Sequence, residues 1–168
     1  MTSTGNPKVL IVMGSPSDID VMREAKKVLQ SLGVSCRMGI YSAHRTPGRA
    51  AALAESARDS GVVAIIAGAG MAAHLAGAMA ARTILPVIGV PLAASLSGLD
   101  ALLATVQMPP GFPVGTVAVG KAGAQNAAHF AAQIVALSDP EVADKINAWR
   151  RAKAAAAEAA SDELEAED

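Results

Sequence analysis

Short, continuous apolar runs alternate along this chain with longer stretches in which apolar residues recur at three- and four-residue spacing. Runs of the first kind suit strands covered on both faces, and stretches of the second kind suit helices with one buried face. The first run, Lys8–Met13, closes at Gly14, and Ser15-Pro16-Ser17-Asp18 turns the chain. Ile19, Met22, Ala25 and Leu29 then mark a helix from Asp18 to about Leu32, stopped by Gly33. A second unit runs as a strand from Val34 to Ile40, a polar loop, and a helix from Pro47 to about Ser60 that Gly61 ends. The third has a strand over Val62–Ala67, a turn over Gly68–Met71, and an Ala-rich helix through His74 to Arg82. The fourth strand, Leu85–Val90, is expected to end at Pro91, ahead of a helix over Leu99–Gln107. After the loop Met108–Pro113 come a fifth strand, Thr116–Val119, and a helix from about Ala124 to Leu137.

Five such units predict one α/β domain over 8–138, built on a parallel sheet. One further helix, over 139–160, has no strand to follow and is expected on a neighbouring subunit or on its own domain. Residues 1–7 read as a flexible start, and 161–168 as an acidic, disordered tail.

In an open parallel sheet, ligands sit beyond the carboxyl ends of the strands, where strand order reverses. A 2-1-3-4-5 order would bring Ser15, Asp18, His44, Arg45 and the Gly68 loop to one cleft. Ser42-Ala43-His44-Arg45-Thr46-Pro47 places an imidazole beside a guanidinium, so a proton acceptor near neutral pH adjoins an anion-binding fork. Each candidate also has a plainer reading. Ser15 and Asp18 suit a turn or a helix cap, and His44 suits a loop residue bonded to backbone. His74 suits a cap or a buried structural bond, His129 suits helix packing, and Lys121 suits a solvated side chain.

Composition narrows the classes. Hydrophobic residues make up 52% and charged ones 17% of the 168 residues, a low charge content that points to subunit contacts. A net charge of -1, the lack of a basic stripe and only four aromatic residues (two Phe, one Trp, one Tyr) argue against nucleic acid. No apolar run is long enough to span a bilayer, and the start carries no signal-peptide pattern, so the cytoplasm is the expected compartment. The single cysteine, Cys36, excludes an internal disulfide, and three scattered histidines offer no metal-ligand spacing.

Several stretches taken together resemble a known family. They are Gly14-Ser15-Pro16-Ser17-Asp18, the loop 42–47, Ala67-Gly68-Ala69-Gly70, Ala72-Ala73-His74-Leu75 and Val106-Gln107-Met108-Pro109. Pro113-Val114-Gly115-Thr116 and Lys121-Ala122-Gly123-Ala124-Gln125-Asn126-Ala127 continue the likeness. In this order, over about 8–137, they resemble the N5-carboxyaminoimidazole ribonucleotide mutases of purine biosynthesis. The resemblance implies a flavodoxin-like three-layer α/β sandwich, a homo-octamer, and transfer of a carboxyl group from the exocyclic nitrogen to C4 of the aminoimidazole ribonucleotide, with no metal or cofactor. It implies His44 as the catalytic acid/base. By the same likeness Ser15, Asp18, Ser42, Arg45, Gly70, His74 and Leu75 bind substrate. Met71 and Ala76 stand where the family usually has Gly and Pro. Two alternatives are a carboxylase of the same fold that uses free carbon dioxide, and a non-catalytic flavodoxin-like or receiver-type binding module. A receiver would need an acidic cluster after the first strand and an Asp at the end of the third, where this chain has Ser15-Pro16-Ser17-Asp18 and Gly68.

Overall fold

A computed structural model describes residues 6–167; the flexible start expected over 1–7 lies, for residues 1–5, outside them. Five parallel strands form one sheet: β1 (Val9–Met13), β2 (Cys36–Ile40), β3 (Ala64–Gly70), β4 (Val87–Leu92) and β5 (Gly115–Thr116). Their order is β2-β1-β3-β4-β5, so chain direction across the sheet reverses beside β1. The helices are α1 (Ile19–Ser31), α2 (Pro47–Ala57), α3 (Leu75–Ala80), α4 (Leu99–Val106), α5 (Gly120–Ala136) and α6 (Pro140–Glu165).

The two-residue period of a strand divides the core into two layers. Val9, Ile11 and Met13 of β1 face Met22, Ala25 and Leu29 of α1 and the alanines of α5. Leu10 and Val12 point the other way, onto Ala50 and Ala54 of α2 and Leu75 and Met79 of α3. Ala124, Ala127, Ala128, Ala131 and Ala132 are all fully buried, because methyl-sized side chains let α5 lie close on the sheet. This is the three-layer sandwich.

Several boundaries differ from the sequence expectation. β3 does not turn at Gly68 but continues to Gly70, where Ala69 pairs with Pro91 and Gly70 with Leu92 of β4. Close packing, rather than a turn, accounts for these glycines: a methyl on Gly68 would overlap the Met22 sulfur, and one on Gly70 would lie 3.1 Å from the Leu92 carbonyl oxygen. β4 likewise runs through Pro91 to Leu92. β5 pairs only with Ile88 and Gly89, so beyond Gly89 one side of β4 has no ladder to lose, and a residue without an N–H fits there. For the same reason β5 is shorter than Thr116–Val119; its outgoing bond is Val117 N–H to the Gly89 carbonyl at 3.1 Å. α5 begins at Gly120, four residues earlier than expected.

α6 extends to Glu165, so the segment 161–165, expected to be disordered, continues the helix, with Ser161 donating to Glu165 at 3.2 Å. Asp139 caps its start by accepting the Val142 N–H at 3.3 Å. Val142 and Ile146 are buried against the domain, whereas every residue from 147 to 167 is exposed. Among the described residues no helix is long and apolar enough to cross a membrane.

Trp149 of α6 packs against His129 of α5, with ring centroids 4.3 Å apart. Burial, and after it the nearby Arg150 charge, hold the His129 imidazole below its usual range. A histidine with a depressed folded value is neutral in the fold but takes up a proton in the unfolded chain. Its effect on stability is therefore absent well above about pH 6.5 and grows as pH falls through that value. Urea midpoints should decline on acidification from pH 7 to 5, and His129→Leu should flatten that decline, with Trp149 emission as the probe.

Candidate active site

The carboxyl ends of β1, β2 and β3 open into one cleft of about 520 Å³. All eight residues singled out from the sequence line it: Ser15, Asp18, Ser42, His44, Arg45, Gly70, His74 and Leu75. Their convergence follows from topology, since β1 lies between β2 and β3 and the three following loops must meet.

The loop after β1 is held by its own polar side chains. Asp18 accepts the Ser15 N–H at 2.9 Å, while Ser15 Oγ accepts from Ser17 N–H at 3.4 Å and lies 3.0 Å from Ser17 Oγ. This reciprocal capping box closes a short 3₁₀ turn, Pro16–Asp18, ahead of α1. Asp18 thus caps this turn; as the residue before α1 it makes no side-chain cap bond to that helix. The loop after β2 is braced in the same way. Ser42 is buried, its Oγ accepts from Arg45 N–H at 3.1 Å and Arg45 Nε at 3.4 Å, and its own N–H donates to Thr46 Oγ1 at 3.1 Å. Arg45 also donates to the Gly14 carbonyl at 2.5 Å and so ties the two loops together. Among the described residues the ion pairs join Arg23 to Asp20, Lys27 to Glu24 and Arg82 to Glu55. Arg45 is in none of them, and its charge remains available to an anion.

His44 Nε2 lies 2.7 Å from His74 Nδ1, with the rings edge to face at 78°. One of these nitrogens carries the hydrogen and the other accepts it, so each ring restricts the tautomer of its neighbour. Sequence reasoning favoured a cap or a buried structural bond for His74. It does precede α3, but its side chain makes no cap bond there and reaches His44 instead. Spacing could not reveal this contact, because the two rings are thirty residues apart, in the loops after β2 and β3, and meet only because β1 alone separates those strands in the sheet.

Further residues that were not candidates also line the cleft, Ser17 and Ala94 among them. Ala94 follows β4, and a methyl added at Gly70 would lie 3.1 Å from the Ala94 methyl. Lys121, expected in a turn after β5 but placed in the first turn of α5, lies outside the lining. A larger hollow of about 900 Å³ opens at the opposite end of the sheet, around Arg82, Ile84, Phe112 and Phe130. None of the candidate residues is there. Chemistry therefore assigns the site to the smaller cleft.

Beside the histidines the chain is bent: Ala73 N–H bonds the Gly70 carbonyl at 3.0 Å, with Met71 at φ +54° and Ala73 at φ +27°. A left-handed backbone costs a side-chain-bearing residue about 1–2 kcal/mol, and glycine loses about 0.4–1 kcal/mol of that advantage through its freer unfolded chain. Met71→Gly should therefore stabilise the fold by about 0.5–1 kcal/mol in urea titrations.

Fold and cleft together define a class: a doubly wound α/β domain whose switch-point cleft joins a histidine pair to an anion-ready arginine. The model of the AIR carboxylase family matches residues 8–156, and the chain belongs to that family. The chain is 52% identical over 155 residues to the Escherichia coli K12 protein named N5-carboxyaminoimidazole ribonucleotide mutase, covering 91% of this chain and 92% of that one. A Pyrococcus abyssi protein of the same name is 51% identical over 151 residues, covering 89% and 86%. The crystal structure of Treponema denticola PurE superposes with a TM-score of 0.85 at 26% identity, covering 94% of this chain and 98% of that one.

Proposed function

We propose that this chain moves the carboxyl group of N5-carboxyaminoimidazole ribonucleotide from the exocyclic nitrogen to C4, with His44 as the acid and base. The observation that carries the reading is the meeting of His44, His74 and Arg45 in one cleft walled by small apolar residues. Relatives about half identical over most of their length carry the name of that activity. In the reaction the N–C bond of the carbamate breaks, carbon dioxide leaves, and the nitrogen takes a proton. C4 then attacks the carbon dioxide, a C–C bond forms, and C4 gives up its proton. One proton goes in and one comes out, so a single imidazole finishes as it began. Acid–base help of this kind is worth about 10²–10⁴-fold, and holding carbon dioxide beside C4 adds a proximity gain.

Arg45, with the Ser15 hydroxyl, suits the phosphate, and Asp18 suits the ribose hydroxyls. Arg45→Ala should raise KM about 10–100-fold with a smaller change in kcat, the loss expected for a charge-assisted bond. Purified protein should convert the carbamate without added bicarbonate. Product formed only from aminoimidazole ribonucleotide plus bicarbonate would instead make it a carboxylase, and no product from either would sink both readings.

The working form is a homo-oligomer, an octamer by resemblance, in the cytoplasm. Supporting this, Leu96, Leu99, Leu103 and Val106 leave an apolar face on and beside α4 exposed, and the outer half of α6 stands off its own domain, where a neighbouring subunit can receive it.

A further inference from the structure

Thr46 stands directly before α2 with non-helical backbone angles, the place where a threonine hydroxyl ordinarily accepts an amide hydrogen from the first turn of the helix. It makes no such bond. The hydroxyl turns back instead to the loop after β2. There Oγ1 accepts the Ser42 N–H at 3.1 Å and donates to the Ser42 carbonyl at 3.2 Å, and the Thr46 N–H reaches the same carbonyl at 3.0 Å. The loop 42–46 is thereby closed at its two ends, with His44 as its middle residue. Thr46 is exposed and outside the cleft lining, so neither core packing nor a ligand contact accounts for this choice of partner.

We propose that Thr46 is a positioning residue for the carboxyl transfer: its hydroxyl clasps both backbone groups of Ser42 and so fixes the loop from which His44 reaches His74 and the substrate. The inference rests on the mutase reading given above, with His44 as acid and base. The His44 ring bonds His74, itself a side chain of another loop, so its placement depends on the backbone beneath it. Arg45 is held by routes that bypass the Thr46 hydroxyl, through Ser42 Oγ and the Gly14 carbonyl. The two duties of the loop are therefore separable. Loosening its closure displaces the proton carrier while the anion-binding fork keeps its braces, and proton transfer tolerates displacement poorly: an error of about 1 Å can cost about 10²-fold in rate.

The test separates rate from binding. Thr46→Val keeps the shape of the side chain and removes the hydroxyl; Thr46→Ala takes its place should the valine variant not fold. Turnover of the carbamate should fall about 10–100-fold, while KM stays within about threefold of wild type and calorimetric titration with the product nucleotide still shows full stoichiometry. Thr46→Ser, which keeps the hydroxyl, should bring kcat back to within about threefold of wild type. Ser56→Ala is the control for loss of a hydroxyl on the same helix: Ser56, at the far end of α2, donates to the Ala52 carbonyl at 2.8 Å, and its removal should leave kcat unchanged. Wild-type kcat in Thr46→Val, equal losses in Thr46→Ser and Thr46→Val, or a rise in KM that accounts for the whole loss overturns the assignment. Failure of the wild-type protein to make product from the carbamate would instead overturn the mutase reading on which it stands.

Discussion

His44→Asn is expected to lower turnover about 10²–10⁴-fold while leaving nucleotide affinity within a few-fold of wild type. The amide keeps a polar group of similar reach toward His74, so the cleft should hold its shape. It cannot, however, carry a proton to the departing nitrogen or take one from C4. Single-turnover rates together with calorimetric titration of the nucleotide separate the two effects. Full activity in His44→Asn would falsify the mechanism. A parallel loss of binding and rate would mean that the histidine pair is mainly a structural brace.

The largest effect expected on the fold is at Gly123. It lies in the first turn of α5, and a methyl group there would overlap the carbonyl oxygen of Ala118 in the backbone entering the helix. No side chain can swing aside to make room; the strand-to-helix connection itself must shift. Gly123→Ala should destabilise the protein by about 3 kcal/mol, at the upper end of what overpacking usually costs. Gly48 is the control. It lies in the first turn of α2 with no atom within 4 Å of an added methyl. Gly48→Ala should be neutral or stabilise by up to about 1 kcal/mol, the ordinary helix preference for alanine. Chemical denaturation of the two variants side by side checks both, and equal midpoints would refute the steric account.

Much of this architecture was legible because its signals are local. Apolar runs closed by glycine or by polar turns marked the five strands, and helical spacing of Ile19, Met22, Ala25 and Leu29 marked α1. The misreadings have a common cause. Gly68-Ala69-Gly70 and Pro91 look like punctuation when only the chain is considered. In the sheet, however, β3 and β4 lie side by side and supply each other's hydrogen bonds beyond those residues. The short β5 is likewise decided by its neighbour, since it pairs only with Ile88 and Gly89 of β4.

By itself, then, the sequence determined the class of fold, the family, and which loops carry chemistry, since periodicity and ordered motifs are properties of the chain. Tertiary structure decided what those loops do to one another. It brought His74 to His44, tied Arg45 to the Gly14 carbonyl, and put Met71 in the cleft lining in a backbone conformation that glycine would hold at less cost. These contacts join residues far apart in the chain, and parallel strand order rather than sequence spacing sets their distances.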